Sequence, residues 1–422
     1  MGERRSVPVT VPCLGWKSRC CREPVANWAE QNASLLPGNW YGDSRRFGTS
    51  VCPAIHRQFP GTFGGSPFEF LFSRKVHRLV FFHQTDVRVS KTAFVTGGTG
   101  FVGSHLVEEL LRRDFDDVRC LVRSEPKWLA DLDVEYVHGD LSDVEALWTA
   151  LDGVTHVYHV AGITRAPNWE PFFDVNVKGT LNLMGAIKHA APNVARVLVT
   201  SSLAAVGRCD HPPATEDAPL RPVSRYGRSK AEMEQALRDA HDMAESYWEA
   251  LPLTVVRPPA VYGPRDRDIL DFFQAVKSHV CPIVGGGSEP TLSLVHGRDL
   301  ARGMVEASLH PETVGETYFL GSERPYAWNE VKQAATEALD TWALTLPVPG
   351  PLIGVVGAAA EAWGTMTGTY PPLNRDKARE IRYACTACAI DRAQQDFGYS
   401  PRIPLDEGVA DTITWYKERG WL

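Results

Sequence analysis

The sequence predicts an α/β fold in which a doubly wound parallel sheet is combined with a smaller C-terminal lobe. From residue 91 onward, short apolar runs alternate with stretches of helical periodicity, as in parallel strands joined by crossover helices. A glycine-rich turn at residues 96–103 follows the first apolar run, and the stretch after it has its apolar residues on one helical face. A chain of 422 residues that is 44% hydrophobic can bury a large core.

The glycine-rich turn predicts a site for a pyrophosphate. Gly97 permits a tight turn, Gly100 lets the backbone approach a phosphate, and Gly103 lets the helix pack close to the strand. The free N–H groups of the helix N-terminus then face the phosphates. The remaining cofactor-binding candidates in this turn are Thr99, Phe101 and Val102. A glycine-rich turn without a ligand is the alternative, and residues further along the chain favour a Rossmann-type dinucleotide site.

The end of the second predicted strand indicates which nicotinamide nucleotide is preferred. Arg123 follows the strand at 118–122, where an acidic residue would bind the ribose 2′-OH of NAD. An arginine can neutralise a 2′-phosphate instead, so Arg123 favours NADP, with NAD as the alternative. A solvated surface arginine is the other interpretation of this residue.

The third and fourth strands end in further cofactor candidates. Asp140 and Leu141 follow the strand at 134–138, and the Asp140 carboxylate can accept a hydrogen bond from an adenine amine, whereas Asp143 fits better as a helix cap. The strand at 154–160 ends in small residues that would let the backbone lie against the cofactor. These candidates are Val160, Ala161 and Gly162.

Tyr226 and Lys230 form the pattern that predicts chemistry. Their i, i+4 spacing on a helix predicted from 226 to about 247 places the phenol and the ammonium on one face. We expect the ammonium to lower the pKa of the phenol, which would make Tyr226 a general acid/base. Ser202 follows the fifth strand, 196–200, and would hold the substrate oxygen. Asn176, in a predicted helix, could brace the backbone of the site.

In this order, the motifs resemble those of the extended short-chain dehydrogenases/reductases. The resemblance covers the chain from about residue 91, and its C-terminal pattern is closer to the dihydroflavonol-reductase and 3β-hydroxysteroid-dehydrogenase branch than to sugar-nucleotide epimerases. It implies that Tyr226 and Lys230 are the catalytic pair, that Ser202 is their partner and that Asn176 is a structural and proton-relay residue. Pro258, in the motif at 257–264, is a further cofactor-binding candidate.

Three functions remain open from these residues. The leading hypothesis is an NAD(P)-dependent oxidoreductase that transfers hydride between nicotinamide and a secondary alcohol or ketone of a small molecule. The second is a nucleotide-sugar epimerase with tightly bound NAD. The third is a non-catalytic NADP-binding sensor or scaffold, because a fold does not fix a function.

The chain divides into three predicted parts. Residues 1–90 lack sustained periodicity and are expected to form a poorly ordered extension. Residues 91–257 form the Rossmann domain. Residues 258–422 form mostly the substrate lobe, with a return strand near 293–296 that joins the Rossmann sheet.

Composition limits the partners and the compartment. Residues 91–422 hold 32 basic and 45 acidic residues, which argues against nucleic acid as a partner. The nine cysteines show no framework spacing, so we expect no disulfides, no metal at Cys385 and Cys388, and a cytoplasmic location. Residues 341–360 carry no charge but are interrupted by prolines, which predicts peripheral membrane contact or a buried helix rather than a spanning one. Long paired helices would suit a homodimer.

Overall fold

The computed structural model describes residues 90–239, 244–284, 287, 291–367 and 373–422. The extension predicted at 1–90 therefore lies almost entirely outside the described residues. The strands are β1 (Thr92–Thr96), β2 (Asp117–Val122), β3 (Glu135–His138), β4 (His156–His159), β5 (Arg196–Thr200), β6 (Leu253–Arg257), β7 (Ala260–Tyr262), β8 (Val280–Val284), β9 (Leu294–His296), β10 (Glu316–Phe319) and β11 (Leu344–Val348).

The helices pack on both faces of the main sheet and build the C-terminal lobe. They are α1 (Phe101–Arg112), α2 (Val144–Leu151), α3 (Glu170–Phe172), α4 (Gly179–Ala190), α5 (Leu203–Val206), α6 (Arg225–Arg238), α7 (Tyr247–Ala250), α8 (Leu270–Lys277), α9 (Gly297–Leu309), α10 (Trp328–Leu339), α11 (Gly350–Thr367), α12 (Arg375–Tyr383), α13 (Asp391–Phe397) and α14 (Leu405–Glu418). A π-helical segment, Phe173–Lys178, leads into α4.

Seven parallel strands form the main sheet in the order β10-β6-β5-β4-β1-β2-β3. All five residues of β1 are buried, because helices cover both faces and the strand is correspondingly apolar. The strand order reverses between β1 and β4, which opens a crevice at their carboxyl ends where ligands bind in such sheets. The predicted fold class is therefore confirmed.

The return strand forms at Leu294–His296, but its predicted place in the main sheet was wrong. It pairs in parallel with Ala260–Tyr262 in a separate two-stranded sheet. The last strand of the main sheet is Glu316–Phe319, which pairs with Leu253–Arg257. A strand has two edges, and those of β6 are already taken by β5 and β10.

The helix predicted from 226 to about 247 is shorter than expected. It ends at Arg238, and Asp239 has extended backbone angles. A new helix starts after Ser246, whose hydroxyl and backbone form a capping box with Glu249. Capping therefore begins a second helix within a stretch whose apolar periodicity suggested one.

The expectation of no disulfide is also corrected. Cys209 and Cys385 are bonded, with their Cα atoms 5.5 Å apart and a sequence separation of 176. Cys388 is a free, buried cysteine, as expected for a packed residue. The bridge joins the loop after α5 to the segment after α12. Spacing along the chain could not reveal it, because the partners lie far apart in sequence.

Candidate active site

Two positions of the glycine-rich turn accept only glycine. Gly97 has a φ of +78°, and a Cβ there would lie 2.6 Å from the backbone nitrogen of Ala161. A Cβ on Gly103 would lie 2.1 Å from the Gly97 carbonyl oxygen. Gly100 is the N-cap of α1 and supplies no side-chain cap, so the first N–H groups of this 12-residue helix have no side-chain acceptor from the cap. Thr99, Phe101 and Val102 complete the turn.

The loop after β4 crosses directly over this turn. The Val160 backbone nitrogen donates to the Thr96 carbonyl at 3.1 Å. The buried Asn176 holds the end of the loop, because its side chain accepts from the Ile163 nitrogen at 2.8 Å and donates to the Ile163 carbonyl at 3.0 Å. A Cβ on Gly162 would meet Asn176 Oδ1 at 3.1 Å and Lys230 Nζ at 3.4 Å. The loop, Asn176 and Lys230 therefore line one small space.

The two serines after β5 have different partners. The Ser201 hydroxyl is buried and donates to Glu234 Oε1 at 2.5 Å. Glu234 also accepts two hydrogen bonds from Arg257, so Ser201 belongs to a buried ion-pair network. Ser202 instead caps α5 through its Oγ and lies near enough to the Tyr226 phenol to act on its pKa. The structure thus brings Ser202, rather than Ser201, to Tyr226.

Close packing at the start of α6 positions the tyrosine. Ser224 caps the helix by accepting from the Gly227 nitrogen at 3.0 Å. A Cβ on Gly227 would lie 2.2 Å from the Ala204 carbonyl oxygen, so glycine is required where α6 touches α5. This contact between α6 and α5 places Tyr226 next to Ser202. Sequence reasoning missed the role of Gly227, although a glycine directly after the tyrosine was a visible signal.

The predicted lowering of the Tyr226 pKa does not occur in this structure. Burial raises the pKa of Tyr226 to about 12, the hydrogen bond with Ser202 opposes that rise, and the carboxylates of Glu380 and Asp268 add to it. The Lys230 ammonium donates to the Thr200 carbonyl at 2.7 Å. Spacing along a helix placed the two residues on one face, but it did not determine where the ammonium would bind.

Lys230 is a buried cation. Burial lowers its pKa to about 8, and the nearby Glu234 carboxylate partly offsets this. A buried His159 lies near it and hydrogen-bonds with Thr96 at 2.7 Å and Thr180 at 2.8 Å. Burial, together with the charge of Lys230, lowers the pKa of His159 to about 3, so it is neutral. His159 is therefore a packed, locally bonded residue, as the sequence indicated.

The candidate adenosine contacts lie at the ends of β2 and β3. Arg123 is exposed directly after β2. Hydrogen bonds from Ser142 lower the pKa of Asp140, and the charge of Arg123 lowers it further. Asp140 Oδ1 accepts from the Ser142 nitrogen and hydroxyl at 2.7 and 2.6 Å. Asp143 caps α2, as expected. Leu141 packs against Gly179, so its backbone is fixed beside this edge.

A nicotinamide nucleotide fits the donors and spaces of this crevice. Gly97 and Gly103 let the turn pack against the loop after β4 and against α1, and the N-terminus of α1 lies directly behind the turn. Pro258 borders the same edge, where its carbonyl accepts from the Leu203 nitrogen at 2.9 Å. The phenol, the ammonium and a serine hydroxyl gather at the other end. The helix N-terminus and these side chains are of the kinds that a dinucleotide would contact.

The family model for the NAD dependent epimerase/dehydratase family matches residues 93–321. The chain belongs to this family. It is 32% identical over 332 residues to a ceramide reductase of Caulobacter vibrioides, covering 78% of this chain and 95% of that protein. It is 25% identical over 355 residues to a mouse decarboxylating sterol-4-alpha-carboxylate 3-dehydrogenase, covering 78% and 91%.

A solved structure agrees with this membership. The dTDP-glucose 4,6-dehydratase DesIV from Streptomyces venezuelae, with NAD and TYD bound, superposes with a TM-score of 0.62 at 27% identity and covers 78% of this chain and 98% of its own. The predicted extended short-chain dehydrogenase/reductase family is confirmed. The chain is an NAD(P)-dependent oxidoreductase, and its cofactor is a nicotinamide nucleotide.

Proposed function

We propose that this oxidoreductase reduces a ketone, or oxidises the matching secondary alcohol, with Tyr226 as the group that moves the proton. The observation that carries the proposal is the position of Ser202 beside the Tyr226 phenol, whose pKa it lowers, next to the buried Lys230. A protein that only bound the nucleotide would need neither the phenol nor the serine at this position. The sensor or scaffold hypothesis therefore has less support.

The chain's own residues would divide the work as follows. The turn at Gly97–Gly103 would hold the pyrophosphate, and the loop Val160–Gly162 with Pro258 would border the nicotinamide, which supplies or receives the hydride when bound. Ser202 would donate a hydrogen bond to the substrate oxygen. Tyr226 would give its proton to that oxygen during reduction and recover it during oxidation. Asn176 would keep the loop in place, and Lys230 would bind a ribose hydroxyl.

The raised pKa of Tyr226 favours reduction at neutral pH. A phenol with a pKa of about 12 in the cofactor-free protein is protonated at pH 7 and is ready to donate. Oxidation requires the phenolate, whose fraction grows with pH. At neutral pH the free enzyme therefore holds the phenol in the form that donates a proton to a ketone oxygen.

We further propose NADP as the preferred nucleotide. The supporting observation is Arg123, whose side chain is exposed at the end of β2, where it is accessible to a ligand. A guanidinium at this place complements a 2′-phosphate. Asp140 and Leu141 would border the adenosine beside it.

Replacing the phenol tests the proposed chemistry. Tyr226→Phe should lower kcat by about 10²–10⁴-fold, because the proton donor is lost. The Kd for NADPH, measured by fluorescence, should stay within about twofold, since the nucleotide cradle is separate. The assay follows NADPH consumption across ketone and nucleotide-sugar panels after any bound nucleotide has been released and identified. Full activity in the variant, or turnover with no net NADPH consumption, would contradict the proposal.

Three finer expectations stay proposals. They are a homodimer, a cytoplasmic location and peripheral contact with a membrane. Light scattering tests the first. Thiol labelling of Cys209 and Cys385 directly after cell lysis tests the second: disulfides rarely persist in a reducing compartment, so a bond that survives there would contradict a cytoplasmic location. Membrane contact is argued below.

A further inference from the structure

Helix α11, Gly350–Thr367, turns an apolar stripe towards solvent. Leu352, Val355 and Val356 are 48%, 65% and 45% exposed, whereas Ile353 is 4% exposed. The exposed residues follow the i, i+3, i+4 spacing of one helical face, and the exposed Ala359 and Ala362 extend it. A surface helix normally presents its polar face to water, whereas this helix presents apolar side chains to it.

The inner face of α11 is already packed. A Cβ on Gly357 would lie 2.8 Å from the Asn374 carbonyl oxygen and 3.1 Å from the Ala378 Cβ. Asn374 caps α12 through two backbone N–H groups, so this contact is made with a fixed helix end. Gly357 follows Val356 by one residue, about 100° around the helix, so α12 lies beside the exposed stripe.

The small sheet that precedes α11 is inverted in the same way. Leu344 lies opposite Val280, and Leu346 lies opposite Pro282, and all four side chains are exposed. The alternate residues Cys281 and Ile283 are buried. The exposed Trp342 precedes this strand. We give the name apolar surface to exposed residues of this strand pair, of the segment before it and of α11: Val280, Pro282, Trp342, Leu344, Leu346, Leu352, Val355 and Val356.

The charges around the apolar surface suit an anionic layer. Between Asp340 and Arg375, Glu361 is the single charged residue in the sequence, and it accepts a hydrogen bond from the Arg375 nitrogen at 3.1 Å. The neighbouring α12 exposes four cationic side chains and contains two acids. The cations are Arg375, Lys377, Arg379 and Arg382. The surface is thus basic at its margin, although residues 91–422 as a whole are acidic.

The apolar surface is connected to the mouth of the active site. Asp376 in α12 accepts from the backbone nitrogen of Arg225, directly before Tyr226, at 2.8 Å. After α12, the Cys385 nitrogen donates to the Gly207 carbonyl, just beyond the helix capped by Ser202. Hydrogen bonds therefore hold both ends of α12 close to Tyr226 and Ser202, the two proposed catalytic residues.

We propose that the apolar surface docks on an anionic lipid membrane, from which the enzyme takes a lipid-borne ketone or secondary alcohol. The docking is interfacial, because none of the helices in the described part of the chain is long and apolar enough to cross a bilayer. Exposed Trp, Leu and Val side chains would enter the acyl boundary while the basic margin meets the headgroups. The substrate class, unlike the docking itself, rests on the proposed function.

Vesicle flotation with the full-length protein tests the docking. Wild type should float with vesicles of phosphatidylcholine and phosphatidylglycerol, and less with phosphatidylcholine alone or in high salt. Val355→Asp/Val356→Asp should reduce flotation about tenfold or more, and Arg379→Glu should reduce the preference for the anionic vesicles. Val144→Asp is the matched control, since Val144 is 39% exposed at the start of α2, where an acid is tolerated. NADPH binding should be unchanged in every variant.

The outcomes separate docking from catalysis. Tyr226→Phe should float like wild type, so loss of turnover alone would count against the proposed function and not against docking. Lack of flotation by wild type would overturn the docking. An oligomer that the Val355→Asp/Val356→Asp variant dissociates, measured by light scattering without vesicles, would assign the surface to a second copy of the chain and would also overturn it. A lipid-borne ketone in these vesicles should be reduced faster than in detergent, and equal rates would contradict delivery from the membrane.

Discussion

At the scale of single residues, two neighbouring serines illustrate how hydrogen-bond partners separate roles. Ser201 serves a buried Glu234–Arg257 pair, whereas Ser202 meets Tyr226. A buried carboxylate that loses one of its donors is less well compensated for its burial, which costs stability. A hydroxyl at the site can be lost with little effect on folding.

The serines should therefore respond in opposite ways to truncation. Ser201→Ala should lower the free energy of unfolding by about 1–3 kcal/mol and retain most turnover. Ser202→Ala should lower kcat by about 10²-fold or more and lower stability by about 1 kcal/mol, since it loses one N-cap bond. Urea denaturation and NADPH consumption check the pair. The same loss of turnover in both variants would contradict the assignment of Ser202.

Lys230 should make stability depend on pH. Its pKa is about 8 in the folded protein and near 10.5 when unfolded, so the unfolded chain binds more protons between these values. Stability then rises with pH across that window, and the cost of the buried charge is complete below about pH 8.

Lys230→Met removes this cost together with the hydrogen bond to Thr200. The free energy of unfolding of the variant minus that of wild type should be about 2 kcal/mol more positive at pH 7 than at pH 9.5. Urea denaturation of both proteins at the two pH values measures the difference. A difference that is independent of pH would show that Lys230 is not a buried cation.

At the scale of elements, close contacts between backbone segments set the site. The turn after β1 lies against the loop after β4, and α6 lies against α5, and glycine stands at both contacts. The glycine-rich turn could be predicted from the sequence because its glycines are regularly spaced. Gly227 was missed because its partner, Ala204, lies in a different helix.

Gly97→Ala should abolish nucleotide binding. A methyl group there would lie 2.6 Å from the Ala161 nitrogen, so the loop after β4 must move. Gly315→Ala is the matched control, because Gly315 has a φ of +79° and a Cβ added to it would have no neighbour within 4 Å, so it meets the same backbone strain without the clash. Isothermal titration with NADPH checks both. Equal affinity in the two variants would contradict a cradle at Gly97.

At the scale of the whole molecule, a disulfide bond joins the segment after α12 to the loop after α5. The Cys209–Cys385 bridge spans 176 residues of sequence, so it restricts a long stretch of the unfolded chain. The C-terminal segment after α12 and the loop after α5 are thereby held together. The stability of the protein should consequently depend on the redox conditions.

A reductant should lower the free energy of unfolding of wild type by about 2–4 kcal/mol, because the unfolded chain gains freedom. Cys385→Ser should be less stable by a similar amount and should not respond to the reductant. Because this variant keeps the cysteines at 13, 20, 21 and 52, it also shows whether those cysteines contribute to the effect of the reductant. Urea denaturation with and without dithiothreitol measures both effects. A wild type that is insensitive to reductant would contradict the bridge.

The sequence by itself determined the fold class, the glycine-rich turn and the Tyr226–Lys230 pair, because periodicity and short spacings act within one or two elements. The tertiary structure alone decided that Leu294–His296 pairs outside the main sheet, that Cys209 meets Cys385 and that Ser201 faces inward. It also reversed the expected pKa shift of Tyr226. Free strand edges, burial and the partner of a charged group depend on segments far apart in the chain, and no local pattern encodes them.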